Sequence, residues 1–449
     1  MTGRNTFTLL IVWLACLILF SACATVNEPL KTWDPHHGYR PSTKAPFGPE
    51  DHTVFGLHFS GGGIRAAAFA YGVLEELAAT TVKVNGQSKR LLDEIDYVNG
   101  VSGGSFTAAY YTLFGDRVFA DFEERFLKRN VQADLIFRLF WPWNWVRLLS
   151  PGYDRIDMSI DYYNDQIFDG ATFGDLNQLD TPTLNISATD LSTGNPFSFS
   201  QEQFDFICSD LSSFPVARAV GASSAIPILF PPVLLHNYAG TCGFEKPPWL
   251  QRALQKSRST SVRRWRGARI IASYLDKERR PYLHLIDGGI SDNLALRDPI
   301  SQASDVTLLE QKPGEENRDL HRIVVIVVNA QTESELTWSL VDQFPSVSSL
   351  LGSMANAQID VLSAETLDLL NNFALLWEER TLNAGVPTKV YIIEVTFQAL
   401  QDEKKRLYLN NLSTNLHLPD ADVDLLRQTA RELLKTHPEY QRLLQDLSL

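Results

Sequence analysis

The chain is poor in the residues that build metal and nucleic-acid sites. Its four cysteines, Cys16, Cys23, Cys208 and Cys242, form no Cys-x-x-Cys pair, which excludes a zinc ribbon. Nine histidines are scattered along it. The one cluster, His36-His37, has no cysteine or helical His/Glu spacing around it and reads as loop, so no metal and no other cofactor is expected. Positive charge is also short. The formal net charge is −13, and a duplex would repel such a surface, so nucleic acid is not an expected partner. No repeat of fixed period appears. A glycine-rich loop at Gly61–Gly63 is not followed by Gly-Lys-Ser/Thr, so the Walker phosphate-binding pattern fails.

What is present favours an α/β protein. At 449 residues and 44% hydrophobic composition, the chain holds one large α/β domain with appendages, or two domains. Ile95-Asp96-Tyr97-Val98 reads as a strand end. Gly100-Val101-Ser102-Gly103-Gly104 follows, and Phe106, Ala108, Ala109 and Tyr110 suit a helix packed on that strand. Strand, Gly-x-Ser-x-Gly turn and helix is the setting that raises a serine at a sheet edge as a nucleophile, with Gly100 and Gly104 allowing the tight turn and close packing. Taken alone, the same residues also fit a Gly/Ser-rich loop. Ser105 is a weaker nucleophile candidate, because Thr107 breaks its frame.

Upstream, Val54–Ser60 reads as a short strand running into Gly61-Gly62-Gly63-Ile64-Arg65. A helix follows from Ala66 to Ala78, with Phe69, Val73, Leu74 and Leu77 at helical spacing. Free N–H groups at such a helix start bind anions: a nucleotide phosphate or an oxyanion. The serine motif downstream favours the oxyanion. Downstream again, Pro281–Ile286 is an apolar strand ending at Asp287-Gly288-Gly289, where Asp-Gly alone signals a turn. Asp190 precedes Leu-Ser-Thr-Gly and reads as a turn residue, His284 as structural, and Asn293 as a hydrogen-bonding neighbour of the site.

Taken in order, Ser60-Gly61-Gly62-Gly63-Ile64-Arg65, Gly100–Gly104 and Asp287-Gly288-Gly289 resemble the motifs of patatin-like phospholipases. Ala222-Ser223-Ser224-Ala225-Ile226-Pro227 with Phe230-Pro231-Pro232 is similar to a further stretch of that family. The resemblance covers roughly residues 54 to 330 and departs at Ala66, where the family usually has glycine. It implies a three-layer α/β sandwich with a mostly parallel central sheet flanked by helices. It also implies a Ser102–Asp287 dyad, an oxyanion hole of Gly61, Gly62 and Gly63 amides, and support from Arg65, Gly100, Gly104, Gly288 and Gly289. The implied substrate is a phospholipid or related lipid ester. Two rivals stand beside it. One is a Ser–His–Asp hydrolase drawing on His321, His417 or His437; the other is an inactive membrane-bound interaction protein.

The flanking regions set expectations about location. Residues 1–23 combine a small positive start at Arg4, an apolar Phe7–Phe20 and Ser21-Ala22 before Cys23, as in a secretory signal. Phe20-Ser21-Ala22-Cys23 resembles a bacterial lipobox, which implies acylation of Cys23 and a membrane-anchored lipoprotein of the cell envelope, facing the periplasm or in the outer membrane. Ordinary cleavage and secretion, or an uncleaved anchor, is the alternative. Residues 24–53, with Pro29, Pro35, Pro41, Pro46 and Pro49, read as a tether. The catalytic domain is expected over 54–330, with an insertion at about 240–280, and a C-terminal extension over 331–449 packed on the core.

Leu135–Leu149 is densely aromatic, with Trp141, Trp143 and Trp145 beside Arg138 and Arg147. It reads either as a membrane interface or as a core-packing helix pair broken at Pro142. The insertion gathers Arg252, Lys256, Arg258, Arg263, Arg264, Arg266 and Arg269, either a patch for anionic headgroups or a solvated face. Cys208 and Cys242 either pair or remain buried thiols. Arg322–Asn329 is a buried strand of parallel type and Val390–Phe397 another. Asp420–Leu449 is an amphipathic helical region.

Overall fold

The computed structural model describes residues 27–41, 53–84, 86–150, 152–227, 229–255, 262–297, 299–300, 320–332, 342, 344 and 346–447. The signal segment with Cys23, the ends of the expected tether, and Lys256 and Arg258 of the insertion lie outside them.

Eight strands form the central sheet. In chain order they are β1 (Thr53–Phe59), β2 (Tyr97–Gly100), β3 (Thr183–Asp190), β4 (Asn195–Ser198), β5 (Val233–His236), β6 (Tyr282–Ile286), β7 (Arg322–Asn329) and β8 (Lys389–Thr396). Their order across the sheet is β8-β7-β1-β2-β3-β6-β5, with β4 paired to β3. The run from β8 to β3 is parallel, and β4, β5 and β6 join it antiparallel. The β-branched run of β7 occupies an inner position, where both faces are covered. This is the mostly parallel sheet flanked by helices that the motif order implied.

The helices that matter for the site are α1 (Gly63–Ala79), α2 (Gly103–Phe114), α3 (Val131–Phe140), α4 (Pro142–Leu148), α5 (Arg155–Gln166), α6 (Val216–Ser223), α7 (Val347–Asn383) and α8 (Asp420–Thr436). Helix α1 is buried along nearly its whole length. Its small residues permit that: Gly72 lies so close to the α8 backbone that a Cβ there would sit 2.3 Å from the Arg427 carbonyl oxygen. The region 331–449 is no separate unit. It supplies β8 to the central sheet, and α8 covers α1.

The expected tether is corrected over residues 27–40. Glu28–Pro29 pairs antiparallel with Ser209–Asp210. Asn27 Nδ2 donates to Ser209 Oγ at 2.8 Å, Tyr39 is buried with its hydroxyl on the Leu184 carbonyl, and Arg40 makes a buried ion pair with Asp205 at 2.8 Å. Pro29 occupies an edge position in this pairing, where no ladder N–H is required of it. Cys208 and Cys242 are joined in a disulfide, which packs with Leu30 in a small cluster. Asp190 does form the turn expected of it, accepting from the Ser192 amide. It is also fully buried, with Arg280 and the Tyr274 hydroxyl as partners.

Candidate active site

The site lies where the parallel strands end. β2 stops at Gly100 and α2 starts at Gly103, leaving two residues to reverse the chain. Ser102 takes φ 50° and ψ −123°. A non-glycine residue held there costs about 1–3 kcal/mol, which the surroundings must offset. They do so by close packing. A Cβ on Gly104 would lie 2.5 Å from the Ser60 carbonyl oxygen, and one on Gly100 would lie 2.7 Å from Ser105 Cα. Both glycines are therefore required by the approach of neighbouring backbone. Ser105 is buried inside α2, and its hydroxyl donates to the Ser102 carbonyl at 2.5 Å, whereas the Ser102 hydroxyl, also buried, is directed to Asp287.

Asp287 follows β6. Its amide donates to the Ala225 carbonyl at 3.0 Å, and its carbonyl accepts from Thr189 Oγ1 at 2.8 Å. The side chain is thus aimed by β3 and by the loop after α6. Ser102 Oγ donates to Asp287 Oδ2 at 2.8 Å, and the Gly289 amide donates to Oδ1 at 2.8 Å. No histidine stands between serine and carboxylate. Burial pushes the Asp287 carboxyl up to about 6, although the Ser102 hydroxyl and the Gly289 amide both pull it down. A buried carboxylate without a nearby cation is a stronger proton acceptor than a solvated one. Gly288 packs on β3, where a Cβ would lie 2.3 Å from the Ser187 carbonyl oxygen.

The glycine loop needs one correction. The Gly61 amide donates to Asn293, to both its carbonyl oxygen and Oδ1, each at 3.2 Å. It is therefore occupied and not an available oxyanion donor in this conformation. Gly62 and Gly63 sit at φ 140° and 61°, open α1, and donate their amides to no acceptor among the described residues. Gly63 also touches Gly103, where a Cβ would lie 2.1 Å from the Gly63 carbonyl oxygen. The starts of α1 and α2 are thereby brought backbone to backbone beside Ser102. An amide at Gly103, the residue after the serine, belongs to the usual donor set of this turn.

Arg65 faces inward. Nε donates to the Ala330 carbonyl at 2.9 Å and Nη1 to the Leu412 carbonyl, and burial lowers its pKa to about 10. It ties α1 to the chain after β7 and before α8, which rules out contact with a lipid phosphate in this conformation.

One functional neighbour was not legible in the sequence. Ser223, the last residue of α6, accepts from the Ser102 amide at 2.8 Å and donates to the Ser187 carbonyl at 2.6 Å. In the sequence it stands out only as part of the Ala222–Pro227 stretch. A buried serine inside Ala-Ser-Ser-Ala carries no local signal of a partner so far away in sequence. His58 is buried on β1 with Nδ1 against the Ala295 carbonyl at 2.8 Å. Burial lowers its pKa to about 4, so it is neutral and structural.

A serine at positive φ between a parallel strand and a helix, bonded to a buried aspartate, defines an α/β protein with a serine elbow beside a carboxylate. Within that class the chain belongs to the patatin-like phospholipase family, whose model matches residues 57–300. Among solved structures it is similar to human GIVD cytosolic phospholipase A2 in complex with methyl gamma-linolenyl fluorophosphonate. That match has 11% identity and a TM-score of 0.41, covering 89% of this chain and 60% of that one. It is also similar to VipD from Legionella pneumophila, at 12% identity and TM-score 0.31 over 88% of this chain and 67% of that one. A third likeness is to ExoU in its complex with SpcU from Pseudomonas aeruginosa, at 17% identity and TM-score 0.23 over 58% and 60%. The chain thus spans about 60% of the length of the human enzyme. No protein of curated function matches it.

Proposed function

We propose that the protein is a serine acyl hydrolase that cleaves ester bonds of phospholipids or related lipids. The observation that carries this reading is the 2.8 Å hydrogen bond from Ser102 Oγ to Asp287 Oδ2, made by a carboxylate whose pKa burial has raised to about 6. Ser102 Oγ attacks the ester carbonyl as its proton passes to Asp287. Asp287 then returns the proton to the departing alcohol, leaving an acyl-serine. Water attacks that ester with Asp287 again as base, which restores both residues. The amides of Gly62, Gly63 and Gly103 stabilise the oxyanion, each donor of this kind being worth about 3 kcal/mol in the barrier.

The proposal extends to location. Acylation of Cys23 would place the domain on an envelope membrane facing its lipid substrate. The paired Cys208 and Cys242 support an oxidising compartment such as the periplasm. Only residues 24–26 separate Cys23 from the packed Asn27, so an anchored domain would be held within about 15 Å of the lipid.

Ester hydrolysis by purified wild type, Ser102→Ala, Asp287→Asn, His321→Ala, His417→Ala and His437→Ala tests the chemistry. The dyad requires loss with the first two substitutions and turnover with the histidine variants. Activity surviving in Asp287→Asn but lost with one histidine would transfer the role of base to a triad. Loss in none of them would remove Ser102 as nucleophile.

A further inference from the structure

The aromatic stretch does not pack in the core. Helices α3 and α4 form a hairpin bent at Trp141-Pro142 and rooted by buried Val131 and Leu135. Beyond the root its apolar side chains face outward: Phe137 is 67% exposed, Trp143 69% and Leu149 86%, with Phe140, Trp141 and Trp145 also exposed. Apolar groups so concentrated on one protruding element mark an interaction surface.

The polar groups of the hairpin indicate what covers it. Trp145 Nε1 donates to the Leu139 carbonyl and Asn144 Nδ2 to the Arg138 carbonyl, both at 2.7 Å, and the Trp141 amide also bonds Arg138 O at 3.2 Å. Two of the carbonyls left open at the end of α3, those of Arg138 and Leu139, are therefore satisfied from within the hairpin. That is a requirement for backbone entering hydrocarbon. A protein partner would instead need about one hydrogen bond per 100–200 Å² of contact, and the inward-turned groups offer it little. Charge points the same way. In a chain of net charge −13, residues 135–149 contain two arginines and no acidic residue, so no carboxylate is dehydrated on insertion. Both guanidinium groups fold back to the root: Arg138 lies 4.9 Å over the Tyr162 ring, and Arg147 pairs with Asp161 at 2.6 Å. Tryptophan and arginine at the edge of an apolar tip match the headgroup level of a bilayer.

We infer that the α3–α4 hairpin is a membrane-docking element that inserts its aromatic tip into the lipid surface. The inference rests on the lipid-hydrolase reading for its purpose but not for its physics. The hairpin sits on α5, and α5 packs on α6, whose last residue holds the Ser102 amide. Docking therefore holds at the bilayer a hairpin that connects through α5 and α6 to the Ser102 turn.

The test uses the full chain with Cys23→Ser in every arm, so that no acyl anchor masks the hairpin. Vesicles of phosphatidylcholine mixed with phosphatidylglycerol are floated with this protein and with a Phe137→Ser/Phe140→Ser/Trp143→Ser variant. Vesicle binding is expected to weaken on the order of 100-fold in the variant, from the lost apolar area. Turnover of a short, water-soluble ester is expected to stay unchanged, because these side chains touch no part of the site. A second arm leaves the fold undisturbed: brominated acyl chains should quench indole fluorescence, and Trp141→Phe/Trp143→Phe should remove most of that quenching. Equal vesicle binding by parent and triple variant, or quenching indifferent to Trp141 and Trp143, would overturn the inference. So would a triple variant that loses self-association but keeps vesicle binding, which would assign the face to a second copy of the chain. Absence of soluble-ester turnover in the parent would count against the hydrolase reading alone and leave the docking result standing.

Discussion

The hydroxyl of Ser223 bridges two backbones, taking the Ser102 N–H at 2.8 Å and giving its proton to the Ser187 carbonyl at 2.6 Å. The unusual φ of Ser102 is thus fixed from α6, a helix packed against α2, by a side chain outside the Ser102–Asp287 hydrogen bond. Ser223→Ala should leave two buried backbone groups unpaired, at about 1–3 kcal/mol, and let the elbow relax. Since small displacements of a nucleophile cost up to about 100-fold, kcat for ester hydrolysis should fall about 10- to 100-fold with KM little changed. A purely structural serine would lower the melting temperature while leaving kcat per folded molecule unaltered, and that outcome would remove the positioning role.

The second expectation concerns pH and activity. Asp287 accepts the serine proton only as a carboxylate, and its pKa is raised to about 6 by burial. The profile of kcat/KM should therefore rise with pH through about 6, losing about tenfold per pH unit below it, and level off above about 7. A midpoint near the ordinary aspartate value of about 4 would show a solvated base and contradict the geometry. The readout is initial rates on a soluble ester across the pH range, with folding followed at each point.

The same shift carries a stability consequence of opposite character. Between the unfolded value of 3.8 and the folded value of about 6, the folded protein binds the extra proton. Asp287 therefore lowers stability as pH rises through that window, and above it the penalty is constant. Asparagine stays neutral at every pH. Asp287→Asn should be inactive yet more stable than wild type at neutral pH, by about 2–3 kcal/mol at most. The gain should shrink as pH falls towards about 4. Denaturant unfolding at two pH values measures it, and a variant less stable than wild type at neutral pH would contradict the burial argument.

The meeting of Ser102 with Asp287 was legible because each half of the pair is announced locally. Gly100–Gly104 and Asp287–Gly289 are short, glycine-marked turns at strand ends, and their order along the chain supplied the pairing. What escaped the sequence depends on distant partners. The Gly61 amide is taken by Asn293, 232 positions away, and no local pattern announces an acceptor. Residues 27–40 looked like a linker by their prolines, yet Asn27 and Arg40 find partners 182 and 165 positions on. The aromatic hairpin shows the same limit. Helical spacing reveals an apolar face, but whether that face is covered depends on what the rest of the chain places against it, and here nothing among the described residues does.

The disulfide gives the last expectation. Cys208 and Cys242 are 34 positions apart, and the loop they close contains all of α6, with Ser223 at its end. Closing a loop of this length removes unfolded-state entropy equivalent to about 3–4 kcal/mol in the chain-entropy model. The bridge also sits under the N-terminal segment: the Leu30 amide bonds the Cys208 carbonyl and the Trp33 amide the Cys242 carbonyl, each at 2.8 Å. Cys208→Ser/Cys242→Ser should therefore unfold about 3 kcal/mol more easily in denaturant. Turnover of a soluble ester well below the melting range should remain, because Ser223 is also held from β3 through the Ser187 carbonyl. Heating should separate the two proteins before it unfolds wild type, with the variant losing kcat first as α6 loosens. Equal unfolding midpoints under oxidising conditions would show that the bridge stabilises nothing the hydrogen bonds of this segment do not already hold.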